Sequence, residues 1–318
     1  MPEWLIERGI GETRFALVDG GEIVEARIDL DGSAPAGSLI AARLVDIGSK
    51  GRNAVATDRQ GAEYLLPRGA AGVTEGSQLT IEVTRSAIPG SEPWKRPLAR
   101  ATDSAPRDAP GPEGRALAFP SPVDELAKAG WDDLIEEART GIVRFGGGEL
   151  RISPTPAMTL IDVDGHLDPE ELAVRGAAQA AKAVRRLDIG GSIGIDLPTV
   201  TGKAARQAAA AEIDVHLPQP FERTAVNGFG FLQIIRPRLR ASLVELAQDR
   251  ASFEARALLR RAALDGPGAK RLAAHPAVIS VLEGRKDWFD ALARKVGGAI
   301  SLRADAALPI SGAYAEQA

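Results

Sequence analysis

Two short apolar stretches each end on an aspartate: Leu160-Ile161-Asp162 and Ile193-Gly194-Ile195-Asp196. A carboxylate at a strand end is held rigidly while it faces solvent. Two of them brought together make a hard-oxygen site suited to Mg²⁺ or Mn²⁺. Such an ion positions and acidifies a water for phosphodiester hydrolysis. The competing reading is that strand-end aspartates only start turns or cap helices. Asp164 points the same way as Asp162 if the strand persists, because side chains repeat with period two.

Other candidates fall away on spacing. Gly190-Gly191-Ser192-Ile193-Gly194 matches G-x-S-x-G, but its serine precedes a strand, so it is no strand-to-helix nucleophile elbow. Gly202-Lys203 lacks the upstream glycine of a P-loop. His166, His216 and His275 have no partner at metal-ligand spacing, and His166, four residues after Asp162, reads as a loop histidine or a general base. The absence of cysteine removes disulfides, thiolate zinc and cysteine nucleophiles, and fits a cytoplasmic protein.

The elements that must position these residues are legible in outline. At 318 residues the chain is long enough for about two domains. Its cores must come from Ala, Leu, Ile and Val, because only 4% of residues are aromatic. No apolar run is long enough to span a membrane, and the acidic Met1-Pro2-Glu3-Trp4 start does not read as a signal peptide. The pattern predicts an α+β protein in five parts. Residues 1–33 read as β-strands with a hairpin at Asp19-Gly20-Gly21. Residues 34–100 read as a small β-barrel, of the oligonucleotide-binding kind or another. Residues 101–118 form a Pro/Ala/Asp/Gly-rich linker, 119–247 an α/β domain with a mixed sheet, and 248–318 a small α/β domain. Within the α/β domain the spacing predicts one helix over 122–140, helices at 168–187 and 199–212, and strands near 213–216, 222–226 and 230–235.

Charge says little for the whole chain, at −4, but residues 36–107 hold ten Lys/Arg against seven Asp/Glu. That bias fits a solvated surface as well as a nucleic-acid groove. Tyr64 and Trp94 are candidate stacking residues there, or core. Arg236, Arg238 and Arg240 alternate and either track phosphates or line a solvated face.

The region from Leu150 to Leu243 resembles the catalytic region of the ribonuclease E/G family. Ile152–Asp164, ISPTPAMTLIDVD, is similar to the family's strand into its Ile-Asp-Ile-Asn motif. Arg185–Pro198, RRLDIGGSIGIDLP, is similar to its LRDLGGLIVIDF. Gly228–Leu239, GFGFLQIIRPRL, is similar to its RFGLLEMSRQRL, and the order and spacing of all three agree. The N-terminal strands, the barrel and the last 70 residues resemble the flanking parts more thinly.

The resemblance implies a catalytic Mg²⁺, or Mn²⁺, on Asp162 and Asp196 with Asp164 assisting. It implies an endoribonuclease acting on single-stranded RNA. Arg85, Lys95 and Arg96 of the barrel join Arg236 and Arg238 as candidate RNA contacts. It further implies a homodimer through the small domain. The departures are the missing cysteine zinc link and the missing 5′-monophosphate sensor. Gly228, Thr199 and Pro156 also replace an arginine, an acid and a glutamate. The alternative these departures leave is a non-catalytic RNA-binding relative.

Overall fold

A computed structural model describes residues 1–48, 53–89 and 95–318. It is a mixed α+β architecture with a closed barrel and three separate sheets. The chain opens on strands β1 (Glu3–Arg8), β2 (Glu12–Asp19) and β3 (Glu22–Leu30), each antiparallel to the next. The β2–β3 turn uses Gly20 and Gly21, both at positive φ (60° and 90°), the backbone a tight hairpin demands. One face of this sheet carries the row Leu5, Ala16, Ala26 into the main core.

The barrel follows. Strands β4 (Leu39–Asp46), β5 (Ala54–Asp58), β6 (Glu63–Leu66), β7 (Gln78–Arg85) and β8 (Leu98–Thr102) close in the order β4-β5-β6-β8-β7. Closure removes the free edges that would otherwise invite pairing. Leu44, Ala56, Leu66, Ile81 and Val83 fill its interior. The expected linker is partly ordered, because Leu39 bridges Arg107 and β9 (Arg115–Leu117) pairs parallel with β1.

The single helix expected over 122–140 is two helices. Asp124 caps α1 (Glu125–Lys128) by accepting from the Ala127 amide at 2.9 Å. Gly130, at φ 96°, then turns the chain into α2 (Trp131–Thr140). Strands β10 (Ile142–Phe145), β11 (Gly148–Pro154) and β12 (Thr159–Gly165) lead to α3 (Pro169–Arg186). Helix α3 starts under the Asp168 cap with Pro169 in its first turn and acids before bases, matching the dipole. Its Ala173, Ala177, Ala180 and Val184 lie in the core. Strand β13 (Gly191–Asp196), helix α4 (Lys203–His216), β14 (Glu222–Arg223) and β15 (Phe231–Arg236) complete the six-stranded sheet β10-β11-β12-β13-β15-β14. The strand expected at 213–216 is the last turn of α4, where Ile213 buries into the core.

Helix α5 (Leu243–Leu246) packs into the main core, and the final unit holds α6 (Arg250–Leu264), β16 (Lys270–Ala274), α7 (Pro276–Glu283), α8 (Lys286–Val296), β17 (Ile300–Ala304) and β18 (Tyr314–Gln317). Its sheet runs β17-β16-β18 over a separate core. Among the described residues no helix is long and apolar enough to cross a membrane.

Candidate functional site

The six-stranded sheet has two unlike faces. Leu150, Ile152, Ile161, Val163, Ile193 and Ile195 point into the core, each burial contributing roughly 1.5–3 kcal/mol. The alternate residues point outward. Strands β12 and β13 are parallel neighbours, and Asp162 is the register partner of Asp196. A row runs across the open face from Ile142 through Arg151, Asp162 and Asp196 to Phe231. The two aspartates are therefore cross-strand neighbours on adjacent strands. Gly194 sits one step back on the same face, where a Cβ would fall 2.6 Å from the Phe231 ring and 3.0 Å from Leu160.

The expected metal centre is not met. Among the described residues no three His, Cys, Asp or Glu side chains come together as a group able to hold a metal ion. This overturns the assignment of Mg²⁺ or Mn²⁺ to Asp162, Asp164 and Asp196. The metal-activated hydrolysis of RNA, and with it the nuclease, fails on the same finding. The strand itself supplies the reason. Residues two apart on β12 share a face but stand roughly 6–7 Å apart, and all three aspartates are exposed, so the set does not converge.

Arg151 supplies positive charge among these carboxylates. It lies directly opposite Asp162 on β11, its Nε is 3.9 Å from Asp164 Oδ2, and it donates to Glu149 Oε1 at 2.7 Å. Sequence reasoning missed Arg151. The signal was the alternation Glu149-Leu150-Arg151 on a strand antiparallel to the one that carries the aspartates.

Partial burial, then the charges of Asp164 and Asp196, push the Asp162 carboxyl above its usual range, with Arg151 opposing. A carboxyl raised in the fold is a penalty, fully present above its folded pKa and relieved as pH falls below the unfolded value. Asp162→Asn is therefore expected to raise the urea midpoint at pH 7. The gain should be of the order of one cross-strand charge pair, roughly 0.2–1 kcal/mol, and it should vanish near pH 3. A loss of stability at pH 7 would contradict the repulsion.

The histidines serve the backbone or lie outside. His275 Nδ1 accepts from the Ala277 amide at 3.1 Å to cap α7. His216 lies 3.2 Å from Glu212. His166 is exposed on the loop after β12. Tyr64 is core, its hydroxyl donating to Asp58 at 3.1 Å, and burial pushes its phenol up. Trp94, Lys50 and Arg52 lie outside the described residues.

Of the five candidate RNA contacts, four gather in one place. The Arg85 Nη2 at the end of β7 donates to the Arg96 carbonyl at 2.7 Å. Lys95 precedes Arg96, and its carbonyl accepts from the Ile88 amide at 3.2 Å. The Ser86 amide donates to the Leu239 carbonyl at 2.9 Å, tying the barrel to the segment after β15 that carries Arg238. Burial and the charge of Arg238 hold the Arg85 guanidinium below its ordinary range. Arg96 is exposed and pairs with Glu63 at 2.5 Å, while Arg238 pairs with Glu245. Arg236 stands apart, donating to the Ile189 carbonyl at 3.1 Å. Arg240 divides between Asp188 at 2.9 Å and Asp29 at 3.4 Å. Arg236 also lies 3.8 Å from Asp188, so Arg236 and Arg240 share that carboxylate while Arg238, between them, reaches Glu245.

These features define a multidomain α+β protein with a closed five-stranded barrel beside an open sheet face. Compared with known proteins, the chain matches no family model and no curated protein sequence.

Proposed function

We propose that this chain binds single-stranded RNA without cleaving it, as a non-catalytic relative of the ribonuclease E/G family. The observation that carries the reading is the gathering of Arg85, Lys95, Arg96 and Arg238 where the barrel meets the six-stranded sheet. A basic patch supplies the phosphate contacts on which sequence-tolerant binding to single strands depends. The open face of the sheet exposes Leu160 and Ile235, with Phe229 exposed on the turn before β15, apolar surfaces on which bases can lie. The three quoted motifs support the kinship. Arg151 among the aspartates supports the absence of turnover, because its guanidinium supplies charge that these carboxylates would otherwise draw from an ion.

The test is fluorescence anisotropy with a labelled oligouridylate across a salt series. Each lost phosphate contact lowers the slope of log K against log salt by about 0.7 for a single strand. The triple variant Arg85→Gln, Lys95→Gln, Arg96→Gln is expected to bind at least tenfold more weakly. Its slope should be lower by about 2. The oligonucleotide should remain intact with Mg²⁺ present. No binding by the parent protein at low salt, or an unchanged slope in the variant, would overturn the reading.

A further inference from the structure

The outer face of the first sheet is not bare. Residues Ile6, Phe15 and Arg27 form one cross-strand row on it, and Arg8, Thr13 and Asp29 form the next. Segments 31–38 and 108–112 and the Arg240 side chain wall these rows into a cleft of about 560 Å³. That volume lies within the range of small-molecule sites, about 300–1,000 Å³.

The charges in the cleft are arranged unevenly. The Arg27 guanidinium lies over the Phe15 ring at 4.5 Å and near the Trp4 ring at 5.3 Å. Its Nε is buried without a hydrogen-bond partner. Such a donor stays unsatisfied until something accepts from it. Burial first, and then Arg240, hold the Arg27 guanidinium below its ordinary range, so an added anion is favoured there. Arg8 is exposed at the cleft's edge and is tied by no side-chain hydrogen bond or ion pair among the described residues.

Three carboxylates, Asp29, Asp31 and Asp108, line the cleft with these guanidiniums, and of the three Asp29 acts on Arg27. They balance the positive charge of the cleft and disfavour a bare polyanion. They also accept hydrogen bonds, so the matching ligand carries hydroxyl donors as well as an anion. Pro110 and Pro112 add flat apolar wall on the linker side.

We propose that this cleft is a binding site for a ribonucleoside monophosphate. Its phosphate sits between Arg8 and Arg27, its ribose hydroxyls donate to Asp29 and Asp31, and its base lies against the linker prolines. The site is separate from the RNA patch at the barrel and does not rest on that function.

Isothermal titration of the full chain with adenosine 5′-monophosphate tests it. The nucleotide is expected to bind with submillimolar affinity, and at least tenfold more tightly than inorganic phosphate or than 2′,3′-dideoxyadenosine monophosphate. Arg27→Met is expected to weaken binding at least tenfold. Arg8→Gln, at an exposed position that folding does not need, is expected to weaken it severalfold. No binding at millimolar nucleotide would overturn the site, as would full affinity in Arg8→Gln. Equal binding of inorganic phosphate or of the dideoxy analogue would overturn the ligand class.

A final arm separates the free nucleotide from a nucleotide of an RNA strand. Adenosine monophosphate is expected to leave oligouridylate binding unchanged, and Arg8→Gln is expected to bind the oligouridylate normally. Displacement of the RNA by the nucleotide would overturn the separate site. Failure of RNA binding alone would overturn only the barrel reading.

Discussion

Replacing Arg14 with methionine is expected to cost the folded protein about 3–5 kcal/mol, the usual loss when one partner of a buried ion pair is removed. Arg14 is 1% exposed and sits mid-way in an alternating chain of six charges. Its Nη1 donates to Glu7 at 2.8 Å and its Nη2 lies 2.5 Å from Glu12. Glu12 is held in turn by Arg256 at 2.7 Å, and Glu7 by Arg260 at 2.9 Å. Arg260 ends the chain on Asp124 at 2.7 Å. Three guanidiniums and three carboxylates leave no net charge in a nearly dry interface of β1, β2, the α1 cap and α6. Removing Arg14 leaves Glu7 and Glu12 each with one cation where each had two. The urea midpoint of Arg14→Met should fall accordingly.

The double variant Arg14→Met, Glu7→Gln should recover part of the loss by neutralising one stranded charge. Independent additive losses from the two changes would contradict the network. Acid should dissolve it from the other end. Burial disfavours the charged Asp124 carboxyl, but Arg260 and the α1 amides outweigh burial and hold it below its ordinary range. Its contribution is therefore full above the unfolded value of about 3.9 and is lost as pH falls through the lower folded value.

That network was not legible in the sequence, and its invisibility has a physical cause. Glu7 and Arg14 pair on the same face as Leu5 and Ala16, but Glu7-Arg8 and Glu12-Thr13-Arg14 read in sequence as the polar, solvated ends of β1 and β2. Only the packing of α6, more than two hundred residues later, buries these charged ends. Local signals fared better where the element carried its own ends. Helix α3 was readable because Asp168, Pro169 and the Arg185-Arg186 end all agree. The body of helix α4 was readable but its end was not, since Ile213, Asp214 and Val215 alternate like a strand while the Ala-rich run before them carries the helix on. Strand β18 has no apolar signature, being Tyr-Ala-Glu-Gln on a sheet edge.

The candidate site divides the same way. The two strand-end aspartates were visible in the sequence, and the structure makes their strands parallel neighbours with Asp162 opposite Asp196. Whether their carboxylates converge depended on side-chain spacing and on Arg151, which belongs to a third strand. A motif read along the chain does not show what lies across the sheet. The basic patch was partly visible because Lys95 and Arg96 are adjacent in sequence. Arg85 and Arg238 join them only through the barrel's closure and the contact of Ser86 with Leu239.

Gly11→Ala is expected to destabilise the protein by about 2–5 kcal/mol, far more than one methyl group on a surface turn would cost. Two independent penalties add. Gly11 lies at φ 77°, where an L-residue costs roughly 1–2 kcal/mol. Its Cβ would also fall 2.5 Å from Cζ2 and 2.6 Å from Cε2 of Trp288, inside any tolerable contact. The indole cannot swing away, because it is 5% exposed in the core of the C-terminal unit and Arg285 stacks on it at 4.0 Å. Overpacking of this kind costs about 1–3 kcal/mol. Trp288→Phe shortens the ring at the point of collision, so it should restore the steric part when combined with Gly11→Ala and leave only the backbone part. A double-mutant cycle in urea separates the two. A coupling energy near zero would mean that Trp288 does not bear on Gly11.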